Sequence, residues 1–111
     1  MSTVTIDLEK YRTKGSKVFT GRERGQSIRT NSKIDELVDA NDLVNIQIPT
    51  DVMSINPSFL EELLFNVVQK FGKTKFYKKV QFVSNSSRYN ISDDLEEAVD
   101  RILRSNNALS K

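Results

Sequence analysis

Three sets of side chains could carry chemistry. Adjacent carboxylates occur at Glu61-Glu62, Asp93-Asp94 and Glu96-Glu97, the residue type that general acid–base and metal chemistry draw on. Ser54 and Ser58 flank Asn56-Pro57, where a phosphoryl group would be stabilised by free backbone N–H groups and the positive end of a helix dipole. Cations form the third set. Arg22, Arg24 and Arg29 follow Gly21, while Lys73, Lys75, Lys78 and Lys79 alternate with Phe71, Phe76 and Tyr77 in a basic, aromatic run over 70–79, as on surfaces that bind single-stranded nucleic acid by charge and stacking.

What is missing narrows these options. The chain has no His and no Cys, which removes imidazole catalysis, thiol chemistry, disulfides and zinc sites built from those ligands. Each carboxylate pair stands near a helix start, where the dipole already accounts for it, and no partner acid, base or nucleophile lies nearby in the sequence. Gly21–Ser27 lacks both the four-residue spacing and the lysine of a phosphate-binding loop. The reading is therefore a protein that is not an enzyme and needs no cofactor or metal. No apolar run approaches the roughly 18 residues of a membrane span, and Asp7, Glu9 and Lys10 come too early for a secretory leader. The expected location is the cytoplasm, away from membranes, so the glycosylation patterns at Asn85-Ser86-Ser87 and Asn90-Ile91-Ser92 are chance matches.

The elements that must position these side chains are set by local pattern. Asn56 caps a helix that begins at Pro57, and Phe59, Leu60, Leu63, Leu64, Val67, Val68 and Phe71 recur on one helical face until Gly72 stops it. Thr3–Leu8 alternates as a half-buried strand, and Lys17–Thr20 reads as its hairpin partner across Thr13–Ser16. Ile28, Ile34, Leu37 and Val38 suit an amphipathic helix over roughly 25–39. Leu43–Ile48 is a strand with Val44, Ile46 and Ile48 on one face and the polar Asn45 and Gln47 on the other. Val80 and Phe82, with Phe76 as a candidate start, mark another strand that ends at Ser84–Ser87. Ser92 or Asp93 caps a last helix with Leu95, Val99, Ile102 and Leu103 on its stripe. The expected order is β-β-α-β-α-β-α in one α/β domain over 1–104, with residues 105–111 a frayed tail. The hairpin makes the small sheet mixed, and an open polar strand face puts the helices mainly on the other side.

Charge is segregated along the chain. Residues 1–34 carry eight Lys or Arg against three Asp or Glu, 35–69 carry seven acids and no base, and 70–79 carry five bases and no acid. The small net charge of +2 thus hides basic and acidic regions.

The pattern Phe19…Arg22…Gly25…Ile28-Arg29, the strand Val44–Ile48, and Val52…Ile55…Ser58-Phe59…Glu62 resembles the STAS-like domain family of unknown function, distantly related to anti-sigma-factor antagonists. The resemblance spans residues 1–104 and implies a small mixed sheet with helices mainly on one face. It also implies a regulatory partner role, with a histidine-kinase-type ATPase resembling anti-sigma kinases as the partner type. In anti-sigma-factor antagonists the helix start reads Asp-Ser-Ser/Thr-Gly, and its first Ser is phosphorylated. Asn56 here matches the Asp, Pro57 that Ser, Ser58 the second hydroxyl and Phe59 the Gly, so the switch position has no hydroxyl.

The expected function is a regulatory protein-protein interaction module that docks through Met53, Ser54, Asn56 and Ser58, with Arg22 and Arg24 beside them. Ser58 is the candidate phosphorylation site, weighed against a plain first-turn role that capping preferences favour. The three arginines divide between an acidic partner, the chain's own acidic segment and solvent. Nucleic-acid binding through Lys73, Lys75, Lys78 and Lys79 is the disfavoured alternative, and self-association through an open sheet face or edge is a third.

Overall fold

The structure is a computed structural model that describes residues 2–84 and 89–109, with side chains described through Arg104. β1 (Thr3–Asp7), β3 (Leu43–Ile48) and β5 (Val80–Ser84) form a three-stranded sheet in the order β1-β3-β5. Both pairings are parallel, with Ile6 opposite Ile46 and Ile46 opposite Phe82.

The expected N-terminal hairpin does not form. β2 (Val18–Phe19) pairs in parallel with β4 (Ser54–Ile55), with Val18 opposite Ser54 and Phe19 opposite Ile55. β1 and β3 thus leave the main sheet side by side, make excursions of unequal length, and meet again as β2 and β4. The first excursion opens with a 3₁₀ turn at Leu8–Tyr11, where Asp7 Oδ1 accepts from the Glu9 N–H at 3.0 Å and Leu8 is fully buried. Arg12 ties the two excursions together through an ion pair to Asp51 at 2.7 Å. Every pairing among the described residues is parallel, which replaces the mixed sheet, and the extra short strand β4 makes the observed order β-β-α-α-β-β-α-β-α.

The helix expected over 25–39 is two, α1 (Arg22–Ser32) and α2 (Ile34–Ala40). The break is at Lys33, whose left-handed backbone (φ 57°, ψ 36°) turns the chain and lets Ile34 and Val38 reach the core. α3 (Pro57–Lys79) bends where the stop was expected, at Gly72 (φ 78°, ψ 171°), a conformation that side chains resist and glycine tolerates. Helix resumes at once beyond the bend, so Phe76 is a buried helical residue and not the start of a strand. α4 (Ser92–Leu109) closes the domain, and Asn90 Oδ1 accepts from the Ser92 N–H at 2.9 Å. The loop expected to end β5 lies largely outside the described residues, as do the last two residues and the side chains of the expected tail.

The core forms on α3. Phe59, Leu60, Leu63, Leu64, Val67 and Val68 are buried against Ile6, Val44, Ile46 and Ile48 of the sheet and Val99 and Ile102 of α4, while Phe71 is half-buried. Thr5, Asn45 and Gln81 stand in register on the opposite face, followed by Asp7, Gln47 and Val83. That face is partly to fully exposed, so the helices cover one side, as the strand patterning implies.

Candidate functional site

The turn into α3 is built by short-range chemistry. After β3, the Val52 N–H donates to the Pro49 carbonyl and the Val52 side chain is fully buried, which fixes the exit of the loop. The Met53 N–H then donates to the Lys17 carbonyl at 2.7 Å, and the Asn56 N–H to the Phe19 carbonyl at 2.8 Å. Asn56 Oδ1 accepts from the Ser58 N–H at 2.8 Å, and Pro57 occupies the first helical position, where a missing N–H costs nothing. Backbone and cap together hold Met53, Ser54 and Asn56 out from the fold. Met53 is 55% exposed, and on the neighbouring strand Val18, opposite Ser54, is 45% exposed.

Ser58 is half-buried in the first turn. A phosphate there would need free N–H groups, yet Pro57 has none, the Ser58 N–H is given to Asn56 Oδ1, and those of Phe59 and Leu60 donate to the Asn56 carbonyl. The first turn is self-satisfied, which favours the capping role over a phosphate site.

The arginines sort by partner. Arg22 pairs with Glu61 at 3.1 Å and Glu62 at 3.2 Å, and the Gln26 amide donates to Glu62 Oε1 at 2.8 Å. Arg29 donates to the Glu62 carbonyl at 2.6 Å. The Glu61-Glu62 pair is therefore a clamp joining α3 to α1, with the Glu61 side chain only 12% exposed. Arg24 turns the other way, donating to the Tyr11 carbonyl at 2.9 Å and Thr13 Oγ1 at 2.6 Å, both neutral acceptors. The acidic middle of the sequence thus folds back on the chain's own bases, as Asp39 does with Lys70 at 2.7 Å. Among the described residues no group of three or more carboxylates could hold a metal ion.

The basic, aromatic run is largely spent within the fold. Lys73 pairs with Asp100 at 3.2 Å, which raises the Lys73 pKa, and the ammonium groups of Lys70 and Lys79 lie 5.5 and 4.9 Å from the centre of the Phe71 ring. Phe76 is in the core, so Tyr77 at 38% exposure is the accessible aromatic of the run, and Lys75 and Lys78 are the cations without an ion pair or ring contact among the described residues.

Three features near the turn escape a reading of the sequence. Tyr89 reaches back to β4: its hydroxyl donates to Asp94 Oδ2 at 2.6 Å and lies 3.1 Å from the Ile55 carbonyl oxygen. Burial, then the bond to the Asp94 carboxylate, pushes the phenol pKa well above its ordinary value. On the other edge of the short ladder the Ser16 hydroxyl donates to the Val18 carbonyl at 3.0 Å and accepts from the Val18 N–H at 3.3 Å. Side chains therefore occupy both edges of β2–β4 where an added strand would pair. Gly25 is the third: a Cβ there would stand 2.5 Å from the Phe59 carbonyl oxygen and 2.9 Å from Glu62 Cβ. This close approach of α1 to α3 accompanies the packing of Phe19 on Phe59, with ring centres 5.3 Å apart. A glycine inside a helix pattern is the one sequence signal that points to such a contact.

No family model matches the chain, and searches of curated proteins and of solved structures find no match either.

Proposed function

We propose that this chain is a non-enzymatic, cytoplasmic regulatory module that docks to a protein partner through the turn into α3. The carrying observation is the rigid presentation of Met53: the backbone on either side is bonded to β2, Asn56 caps the helix, and the Met53 side chain still faces solvent. Exposed apolar groups held on a fixed backbone are the usual anchors of a recognition surface. Ser54, Asn56 and Ser58 supply the polar surround, and Arg24, which like Arg29 has neutral acceptors only, keeps its charge for an acidic partner group. Arg22 serves the fold first through Glu61 and Glu62.

The STAS-like resemblance agrees with helices on one face of a small sheet and with a functional turn at the start of α3, though the strands pair in parallel and not as the mixed sheet it implied, and it makes a histidine-kinase-type ATPase the partner to look for. Pro57 at the switch position, together with a first turn whose N–H groups are all engaged, supports docking without phosphorylation. The nucleic-acid reading has less to stand on, because one exposed tyrosine and two free lysines remain of the segment that suggested it.

The test is capture from a lysate of the source cells on immobilised wild-type protein and on Met53→Asp, with mass-spectrometric identification. An ATPase of that class retained by the wild type and lost with Met53→Asp supports the reading. Equal retention by both, or recovery of nucleic acid alone, rejects it.

A further inference from the structure

The three-stranded sheet has two edges of different chemistry. β1 ends in Asp7 and runs on through Glu9 and Lys10. β5 is Val80-Gln81-Phe82-Val83-Ser84, with no charge, no proline and no glycine, and among the described residues its only strand partner is β3. A strand of that composition with one side unpaired is a template for a further strand. Val83 is 40% exposed, and beside the strand lies a groove of about 490 Å³, lined among others by Tyr77, Phe82, Ile91 and Leu95. The two ends of this edge carry opposite charge. Lys78, two residues before β5, and Asp93, in the first turn of α4, are both exposed, and neither has an ion pair among the described residues. The Tyr89 bond to the Ile55 carbonyl sets the start of α4 at the end of the sheet where β5 finishes. The edge is therefore basic at its start and acidic past its end.

We propose that β5 pairs antiparallel with β5 of a second copy of the chain, about a two-fold axis at Phe82, and joins the two sheets into one. Phe82 is the middle residue of the strand, so this register uses its whole length. Gln81 stands opposite Val83 on the open face, which covers the exposed valine, and the two Phe82 side chains meet on the helix side as an aromatic cross-strand pair. Antiparallel pairing sets the start of one strand beside the end of the other, so Lys78 of each copy approaches Asp93 of the other. An edge charged in this way is complementary to itself under a two-fold operation, which selects a second copy over an unrelated strand. Parallel pairing of the same edges would set lysine beside lysine. Five residues of edge and one groove fall short of the roughly 800 Å² per partner of a stable interface, so association is weak and reversible. The contact uses no residue of the turn into α3 and stands apart from the partner reading.

Sedimentation velocity on the full chain, from about 10 µM to about 1 mM, tests this. The weight-average mass should climb from 12.7 kDa toward twice that value and level off there, because a two-fold contact closes on itself. Lys78→Glu and Asp93→Lys, both at exposed positions, should each weaken association about tenfold, since each sets two like-charge contacts into the dimer. An equimolar mixture of the two variants should associate like the wild type, because both contacts of the mixed dimer again join opposite charges. Val83→Lys, which puts charge on the edge itself, should weaken association as well. A mass of 12.7 kDa at every concentration overturns the proposal, whether the edge then stays free or serves a strand of another protein. So does a mass that grows past the dimer, and so do charge variants that associate like the wild type or a mixture as weak as its components. Rescue in the mixture cannot come from misfolded chains, and circular dichroism of each variant guards the negative result.

Discussion

Replacing Gly25 with alanine sets two effects of opposite sign against each other. On helix propensity alone, alanine in the interior of α1 should stabilise the protein by about 1 kcal/mol. The structure demands the reverse. The added Cβ would lie 2.5 Å from the Phe59 carbonyl oxygen, 2.9 Å from Glu62 Cβ and 3.3 Å from the Leu63 N, whereas ordinary contact begins at 3.4 Å. Two of these three obstacles are backbone atoms of α3, so no side-chain rotation relieves them, and α1 must withdraw by about 1 Å, enough to forfeit a quarter to a half of the dispersion across that contact. Overpacking costs about 1–3 kcal/mol, and with backbone atoms in the way the upper part of that range, about 2–3 kcal/mol, applies, which leaves a net loss of about 1–2 kcal/mol once propensity is credited. Withdrawal would also stretch the bonds of Arg22 to Glu61 and of Arg29 to the Glu62 carbonyl. Urea unfolding followed by far-ultraviolet circular dichroism reads the difference, and the melting temperature should fall by roughly 4–12 °C. A variant as stable as the wild type, or more stable, would refute the close α1–α3 packing from which the position of the candidate site follows.

Other perturbations probe the turn and its supports. Asn56→Ala should cost about 1 kcal/mol in thermal unfolding, with faster hydrogen exchange at the Ser58 amide. Asp51→Asn tests the bond between the two excursions. The Arg12 hydrogen bond holds the Asp51 carboxyl below its ordinary value, so its contribution is full above about pH 4 and fades as pH falls; the variant should be less stable at pH 7, have a shallower acid limb, and converge with the wild type near pH 2. Tyr89→Phe should cost about 1–2 kcal/mol at pH 7 by leaving Asp94 and the Ile55 carbonyl without the hydroxyl. Because burial raises the phenol pKa, the folded state holds this proton more tightly, so wild-type stability is full below about pH 10 and declines above it. The Phe variant should lose that component of the alkaline decline, as read in pH-dependent urea titrations.

The legible parts of the fold are those decided by neighbours in sequence. Asn56, Pro57 and the apolar stripe from Phe59 to Val68 fix the start and buried face of α3 with no information from elsewhere. The alternation of Val44, Ile46 and Ile48 with Asn45 and Gln47 likewise carries the one-sided sheet. The hairpin is misread because parallel pairing is non-local: Thr13–Ser16 does form a turn, with the Ser16 N–H donating to the Thr13 carbonyl, but β1 takes its partner from residues 43–47. The break at Lys33 leaves no mark, since lysine has no preference for a left-handed backbone and adopts it here where Ile34 and Val38 need burial. Gly72 marks the bend in α3 but not the resumption of helix beyond it. At the candidate site, Met53, Ser54 and Asn56 follow from the turn, whereas Val18 becomes its neighbour only through the β2–β4 ladder. Arg22, read beside the docking turn and left open between an acidic partner, the chain's own acids and solvent, pairs with Glu61 and Glu62, and Arg24 differs from it only through neutral acceptors that no spacing reveals.

The docking claim is tested most directly by titrating the captured ATPase domain into wild-type protein and into Met53→Asp in a calorimeter at matched concentrations. The expected result is saturable binding to the wild type and affinity at least about tenfold weaker for the variant, a loss of about 1.4 kcal/mol or more at the anchor. Equal affinity for both proteins, or no binding to the wild type, would contradict it.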